Sequence, residues 1–326
     1  MTYDDFFNEW GSESKVIEAT TSGSTGKPKK IYLPKKFVTE SAERTNRYFS
    51  IDSSSRLHSC ISPDYIGGKM MAVRALTAGA TLTWEEPSNQ PLTHIKKEEW
   101  IDLLAVVPSQ MISILERIAE LPAIRNIIIG GAPIPESLRK DICLSGLNAY
   151  ETYGMTETAS HIALRRVSDT DIPFKAFDDI KISTDERDCL IIDFKNGPHI
   201  VTNDIVKLVN DREFYVEGRY DNVIITGGKK VNPYDLEFRL SALISSPLMV
   251  TSVADDKWGR KIILLIEGEP TRENNEIKDE ISKLLLPFER PKEIYYIKKI
   301  PRTENGKFCR DENIIKKITD ELTGKK

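Results

Sequence analysis

Leu103–Leu144 reads LLAVVPSQMISILERIAELPAIRNIIIGGAPIPESLRKDICL, in which two short apolar runs alternate with two longer amphipathic ones. The runs Leu103–Val107 and Asn126–Ile129 are closed by Pro or Gly and predict buried strands. Ser109–Ala119 has apolar residues at helical spacing, and Pro135–Leu144 begins with a proline suited to a first helical turn. This alternation predicts an α/β fold with a mainly parallel sheet covered by helices.

The rest of the chain predicts a small antiparallel region and then a second domain. Short strands joined by polar turns follow Cys189. After Asp221 strands and helices alternate in a compact α+β pattern. We therefore expect a large amino-terminal domain over residues 1–219 and a small α+β carboxyl-terminal domain over residues 220–326.

Composition narrows the classes of function. Of 326 residues, 40% are hydrophobic and 29% charged, and the net charge of −4 gives no basic surface for nucleic acid. The four cysteines and four histidines are scattered, which argues against a zinc site and fits a reducing cytoplasm. No apolar run approaches the roughly 20 residues needed to span a bilayer. We expect a cytoplasmic protein with small-molecule partners and no membrane insertion; a homo-oligomer is compatible with the sequence.

One loop near the amino terminus has the residue types that hold a polyphosphate. Thr21–Lys29 reads TSGSTGKPK. Glycines let the backbone approach an oxyanion closely, and hydroxyls and lysines supply donors and charge. The glycine spacing excludes a Walker loop. A flexible Ser/Gly/Lys linker is the alternative. The candidate nucleotide-binding residues in this loop are Thr21, Ser22, Gly23, Ser24, Thr25, Gly26 and Lys29.

Three further motifs follow this loop in a fixed order: Tyr153–Thr158 (YGMTET), Gly218–Asp221 (GRYD) and Pro301–Lys307 (PRTENGK). With them the chain resembles the acyl-adenylate-forming superfamily of acyl-CoA synthetases, peptide-synthetase adenylation domains and luciferases. The stretch YGMTETASHI looks most like that of the o-succinylbenzoate–CoA ligases of menaquinone synthesis. The resemblance implies an AMP-forming acid–CoA ligase that uses ATP, Mg²⁺ and coenzyme A.

The resemblance also assigns roles to individual residues. Lys307 would bridge the substrate carboxylate and the α-phosphate, Thr156 would donate to that phosphate, and Glu157 would bind Mg²⁺. The remaining expected AMP contacts are Asp204 and Arg219 at the ribose; Gly131, Ala132 and Pro133 along adenine, with Tyr153 on its other side; and Gly154 and Met155 within the motif. Asp221 would be the hinge between the domains.

Two further sets are expected to contact CoA and the acid. The turn at Gly227, Gly228 and Lys229 would face CoA. Candidates for the acyl pocket are Tyr65, Lys69, Arg74 and Ser160. The last three residues could instead have purely structural roles. Lys69 could be a solvated lysine, Arg74 a helix-capping arginine and Ser160 a small packing serine.

The sequence leaves alternatives open. Full-length superfamily members carry a further subdomain ahead of the phosphate loop, whereas only twenty residues precede it here. This indicates either an abbreviated enzyme, which the complete remainder and Met1 favour, or a fragment. Rival functions are another aryl- or fatty acyl-CoA ligase, an enzyme that loads a carrier protein, and a nucleotide-binding homologue without turnover.

Overall fold

A computed structural model describes residues 1–21, 29–270, 274–302 and 308–324. The helices in these ranges are α1 (Tyr3–Gly11), α2 (Lys35–Phe49), α3 (Ile66–Ala78), α4 (Pro108–Glu116), α5 (Glu136–Ser145), α6 (Pro233–Leu240), α7 (Asn274–Leu284) and α8 (Glu312–Thr323). Short 3₁₀ turns occupy Ile118–Glu120, Thr156–Thr158 and Tyr220–Asn222.

The strands are β1 (Val16–Thr21), β2 (Lys29–Pro34), β3 (Arg56–Ser59), β4 (Thr81–Trp84), β5 (Trp100–Ile101), β6 (Leu103–Val106), β7 (Ala123–Ile124), β8 (Ile127–Ile129), β9 (Ala149–Gly154), β10 (His161–Arg166), β11 (Phe174–Ala176), β12 (Ile180–Thr184), β13 (Cys189–Phe194), β14 (His199–Leu208), β15 (Glu213–Arg219), β16 (Ile224–Thr226), β17 (Lys229–Val231), β18 (Leu248–Asp255), β19 (Gly259–Glu267) and β20 (Glu293–Ile297).

One sheet holds most of the amino-terminal strands. Its order is β12-β13-β14-β15-β11-β10-β9-β8-β6-β3-β4. The strands from β4 to β9 pair in parallel, and from β9 onward each neighbouring pair is antiparallel. The predicted α/β fold is therefore confirmed, and the antiparallel region continues the same sheet.

The central parallel strands β3, β6 and β8 are buried on both faces, whereas the edge strand β4 is largely exposed. All four residues of β6 are buried, with Leu103 and Ala105 in one apolar cluster and Leu104 and Val106 in another. Side chains alternate across a strand, so the two clusters lie on opposite faces of the sheet. This explains why the strand reads as a continuous apolar run instead of an alternating one.

The carboxyl-terminal part has an apolar core of its own. The strands β18, β19 and β20 form a three-stranded sheet, and a cluster that includes Leu236, Val250, Leu264 and Ile281 joins it to helices α6 and α7. Helix α6 ends at Leu240. The 3₁₀ turn Tyr220–Asn222 joins the last strand of the large sheet to β16. The expected division between residues 219 and 220 falls at this turn and stays a prediction.

The helix nearest the amino terminus was not foreseen from the sequence. Helix α1 begins with a capping box in which the side chains of Thr2 and Asp5 bond each other's backbone. It buries Tyr3 and Phe6, and the Tyr3 hydroxyl donates to Ser59 Oγ at 2.7 Å. The short segment ahead of the phosphate loop is therefore packed onto the sheet. In the described ranges no helix has the length and apolar character to cross a membrane.

Candidate functional site

The carboxyl ends of β8 and β9 form one side of the site. Gly131 has φ +86°, which favours glycine, and a Cβ on Gly130 would lie 2.7 Å from Thr152 Oγ1. Buried Glu151 accepts from the backbone N–H of Ile134 at 3.4 Å and from Arg139 at 2.9 Å. These contacts tie the turn of Gly131, Ala132 and Pro133 to the strand that carries Tyr153.

Tyr153, Asp204 and Arg219 meet, although they come from distant parts of the sequence. The Tyr153 hydroxyl donates to one Asp204 oxygen at 2.6 Å, and Arg219 donates to the other at 3.1 Å. Burial and the neighbouring Asp204 raise the pKa of Tyr153 well above its usual value. Each carboxylate oxygen keeps a further lone pair. Asp204 can therefore accept from a ligand hydroxyl while it stays fixed.

The segment Gly154–Ser160 turns tightly at the end of β9. A Cβ on Gly154 would lie 2.3 Å from the Ser160 carbonyl oxygen, so only glycine fits there. The Thr158 hydroxyl bonds the backbone of Met155 and Ser160. Thr156 is buried, whereas Glu157 is exposed and pairs with no cation in the described part of the chain. The turn presents the Glu157 carboxylate to solvent.

A buried cation lies beside this turn. Arg74 in α3 is 1% exposed, donates to Ser160 Oγ at 2.7 Å and approaches His161 Nδ1 at 3.5 Å. Among the described residues no carboxylate lies within 4 Å of it, and its Nε has no hydrogen-bond partner. Burial lowers the pKa of Arg74 to about 9, which still leaves it mainly protonated at neutral pH. Arg74 thus sits within α3, where it caps no helix end.

Lys69 is arranged differently from the acyl-pocket prediction, whereas the role of Tyr65 stays a prediction. Lys69 is 3% exposed, and its ammonium bonds Glu9 at 3.1 Å and the Glu18 carbonyl at 2.8 Å. Lys69 is therefore neither solvated nor available to a substrate carboxylate; it ties helix α1 to β1. Tyr65 is half-buried and is the N-cap residue of α3.

The predicted phosphate loop and the predicted catalytic lysine fall mostly outside the described residues. This applies to Ser22, Gly23, Ser24, Thr25, Gly26 and Lys307. Thr21 and Lys29 are described, and they pair across the end of the antiparallel hairpin β1–β2. The Lys29 N–H donates to Thr21 Oγ1 at 3.3 Å.

The expected CoA-side turn is a two-residue hairpin loop. Thr226 pairs with Lys229, and between them Gly227 and Gly228 have φ +54° and +76°. Two positive φ values match the type I′ turn that favours glycine in such hairpins. A Cβ on Gly227 would also lie 2.9 Å from the ring of Trp258.

His161 lies beside Arg74, a contact that sequence reasoning missed. It is buried, with Nε2 3.0 Å from Thr45 Oγ1 and Nδ1 turned to Arg74. Burial and the Arg74 charge hold the pKa of His161 well below its usual value, so the ring is neutral. A lone histidine after YGMTETAS gives no signal of this pairing, because Arg74 comes from a helix almost ninety residues earlier.

This neutral histidine predicts a loss of stability in acid. Below about pH 6.5 the unfolded chain binds a proton at His161 that the native protein does not, so stability falls as pH falls, by up to about 1.4 kcal/mol per pH unit. Urea unfolding of the wild type and His161→Gln between pH 7.5 and 5.5 measures this. The variant should lose less stability over that range; equal losses would contradict a buried neutral ring.

Comparisons with known proteins show the family and the fold of this chain. A family model described as AMP-binding enzyme matches residues 18–191, more than half of the chain. The 2-succinylbenzoate–CoA ligase of Enterococcus faecalis is 23% identical over 95% of this chain and 71% of its own length. A crystal structure of an acyl-CoA synthetase (AMP-forming)/AMP-acid ligase II-like protein from Dyadobacter fermentans is 32% identical, with TM-score 0.61, covering 93% of this chain and 90% of that one.

The o-succinylbenzoate CoA synthetase of Bacillus subtilis, solved with its acyl-adenylate intermediate, has a TM-score of 0.78 at 21% identity. The alignment covers 90% of this chain and 67% of that one, and it shows a shared fold. Together with the order of the four motifs, the family match and the 32% identical structure identify this chain as a member of the AMP-binding enzyme family.

Proposed function

We propose that this protein is an ATP-dependent acid–CoA ligase whose acid is o-succinylbenzoate. The acid would first be joined to AMP and then transferred to the thiol of coenzyme A. The names of similar ligases support this choice, as do the solved synthetases that hold ATP and magnesium or an acyl-adenylate. The observation that carries the choice of acid is the buried cation of Arg74.

Arg74 favours an acid with a second carboxylate. An uncompensated buried charge costs several kcal/mol, so a protein keeps one where a ligand supplies the opposite charge. Ser160 Oγ bonds Arg74 and belongs to the same turn as Glu157. A dicarboxylic acid could therefore pair one carboxylate with Arg74 while the other meets the nucleotide. A fatty acid offers nothing to this cation.

The nucleotide would bind where the three converging side chains lie. Asp204 would accept from the ribose hydroxyls, with Tyr153 and Arg219 holding the carboxylate in position. The turn of Gly131, Ala132 and Pro133 would line the adenine. One substrate carboxylate oxygen would then attack the α-phosphorus and release pyrophosphate, with Thr156 and Lys307 stabilising the shared negative charge.

Glu157 fits the magnesium role because its exposed carboxylate pairs with no described cation. Mg²⁺ in such sites takes one or two protein carboxylates plus phosphate oxygens and water. The bound ion would neutralise phosphate charge. Glu157→Gln should therefore lower adenylate formation more than tenfold, or about 1.4 kcal/mol. The assay is pyrophosphate exchange at limiting Mg²⁺; activity equal to that of the wild type would remove Glu157 from the site.

We also propose two domains, residues 1–219 and 220–326, hinged at Asp221. The Asp221 carboxylate bonds Arg219 at 2.9 Å and Asn203 at 3.1 Å, so the hinge residue is tied to the strands that carry the ribose contacts. After adenylation a rotation here would withdraw Lys307 and bring Gly227 and Gly228 to the CoA side. The few residues of a hinge absorb such changes in φ and ψ.

Restricting the hinge should separate the two half-reactions. Asp221→Pro fixes φ and should slow thioester formation more than adenylation. Asp221→Ala is the matched control, since it removes the same carboxylate contacts but leaves the backbone free. Each half-reaction would be followed by rapid quench. If the alanine variant shows the same imbalance as the proline variant, the side-chain contacts, and not rotation, account for the effect.

ATP–pyrophosphate exchange across a panel of acids tests the function itself. The panel comprises o-succinylbenzoate, benzoate and a medium-chain fatty acid. We expect o-succinylbenzoate to support exchange and then thioester formation when CoA is added. Comparable exchange with the fatty acid would overturn the choice of acid, and no exchange with any acid would favour a nucleotide-binding protein without turnover.

A further inference from the structure

A second cluster of reactive side chains lies near the edge of the large sheet that is formed by β3 and β4. Strands β3 and β4 are parallel neighbours, and Ser59 pairs with Trp84. Cys60 directly follows β3 and Glu85 directly follows β4, so both lie at the same carboxyl edge of the sheet. His58 and Cys60 are two positions apart along the chain, which directs them to one face. The β-sheet register thereby brings Glu85 next to His58 and Cys60.

The three side chains are close enough to share an ion. Within the described residues they form a group whose ligand atoms, a His58 ring nitrogen, Cys60 Sγ and a Glu85 oxygen, lie within 4.8 Å of one another. His58 Nε2 is 3.9 Å from Glu85 Oε1. A tetrahedral ion with bonds of about 2.0 to 2.3 Å spaces its ligands roughly 3.3 to 3.8 Å apart. Small side-chain movements would complete the geometry.

The hydrogen bonds around His58 fix which nitrogen faces the cluster. Its Nδ1 lies 2.8 Å from Thr83 Oγ1, and that hydroxyl donates its own proton to the Leu57 carbonyl at 3.3 Å. The hydroxyl must therefore accept from Nδ1–H, which leaves the lone pair on Nε2. A histidine oriented in this way by its other nitrogen is the usual arrangement in metal sites.

Among the described residues, no group donates a hydrogen bond to the lone pair on His58 Nε2. His58 is 2% exposed, and its Nε2 is buried with no hydrogen-bond partner. It points instead toward the Glu85 carboxylate, another acceptor, which is itself held by the Leu92 N–H at 2.7 Å. Two acceptors facing each other in a buried place are unfavourable, and a positive charge between them, a proton on Nε2 or a metal ion, relieves this.

We propose that His58 Nε2, Cys60 Sγ and a Glu85 oxygen bind a divalent transition-metal ion of the Zn²⁺ type. One nitrogen, one sulfur and one oxygen suit such an ion and exclude the oxygen-preferring Mg²⁺ and Ca²⁺. Burial raises the pKa of the Cys60 thiol, so without an ion it stays protonated. On binding, the metal–sulfur bond forms as the thiol proton leaves to solvent.

The site has an entry path and a free position. A cavity of about 940 Å³ is lined by His58, Glu85 and His94 among others, and none of the expected ATP or acyl contacts lines it. Three protein ligands leave a fourth place for water or a ligand group from this cavity. The sequence argued against a zinc site because its histidines and cysteines are not spaced as in zinc motifs. That spacing does not reveal which residues the register of β3 and β4 brings together.

Cobalt titration of the full chain tests the site. Chelator-treated protein would receive Co²⁺ in excess Mg²⁺, which occupies any magnesium site. We expect one equivalent to bind with a near-ultraviolet thiolate-to-cobalt charge-transfer band that Zn²⁺ displaces. Cys60→Ser should abolish the band, and Glu85→Gln should weaken Co²⁺ binding at least tenfold.

Controls separate this site from others and from misfolding. Cys309→Ser and Glu157→Gln should keep the band, and circular dichroism should show that all variants fold. Zn²⁺ should raise the thermal midpoint of the wild type more than that of Glu85→Gln. A wild type without the charge-transfer band, or a Cys60→Ser variant that keeps it, would overturn the proposal. The inference is independent of the proposed function, since none of these readouts requires turnover.

Discussion

Arg74→Met is expected to lower kcat/KM for o-succinylbenzoate at least about a hundredfold while leaving the protein as stable as the wild type or more so. The guanidinium is buried and has no carboxylate partner among the described residues, so its removal takes away a desolvated charge without stranding another. Methionine fills a similar volume beside Met71. The loss of activity, about 2.7 kcal/mol, would come from the missing pairing with the second substrate carboxylate.

Arg44 is the control for Arg74, because its substitution is expected to lower the stability of the protein. Arg44 is also buried, but it makes two hydrogen bonds to Asp179, at 2.7 and 3.0 Å. Arg44→Met should therefore destabilise the protein while changing acid preference little. Urea unfolding and steady-state kinetics on both variants make the comparison. If Arg74→Met is strongly destabilised and equally impaired on acids with one carboxylate, Arg74 is a structural residue.

Lys307→Ala is expected to reduce adenylate formation about a thousandfold, since a positioned charge on the transferring phosphoryl group is among the larger catalytic contributions. Thioester formation from pre-made acyl-adenylate should stay within a few-fold of the wild type. The reason is the proposed rotation at Asp221, which moves this lysine away before CoA reacts. Rapid-quench assays of the two half-reactions measure both rates.

Lys299→Ala is the control for the loss of one positive charge in the same domain. Lys299 is exposed and lies outside the PRTENGK motif, so both half-reactions should be unchanged. If Lys307→Ala slows both half-reactions equally, the lysine is shared or structural and the alternation of the domains fails for this chain.

The parts of the fold set by local patterns could be predicted from the sequence. Strand β6 and helix α4 match the expected apolar run and helical spacing within a few residues. Each depends on contiguous residues whose periodicity or closing Pro or Gly is visible in the chain. The ordered motifs also gave the family, because several short matches in sequence order are far more specific than one.

Features that depend on distant residues could not be predicted. Lys69 was proposed for the acyl pocket, yet it pairs with Glu9, sixty residues away, through the unforeseen helix α1. Arg74 differs from Arg44 in being buried without a carboxylate partner among the described residues. A sequence does not show which charged side chains will lack a partner in the fold. His58 and Glu85 meet only through the register of β3 and β4.

The most direct test of the account compares o-succinylbenzoate with the two monocarboxylic analogues that each lack one of its carboxylates. The measurement is wild-type kcat/KM in ATP–pyrophosphate exchange. One analogue lacks the carboxylate that is activated, and the other lacks the carboxylate that pairs with Arg74. We expect both analogues to be at least about a hundredfold poorer substrates than o-succinylbenzoate. Exchange within tenfold of o-succinylbenzoate for either analogue would contradict it.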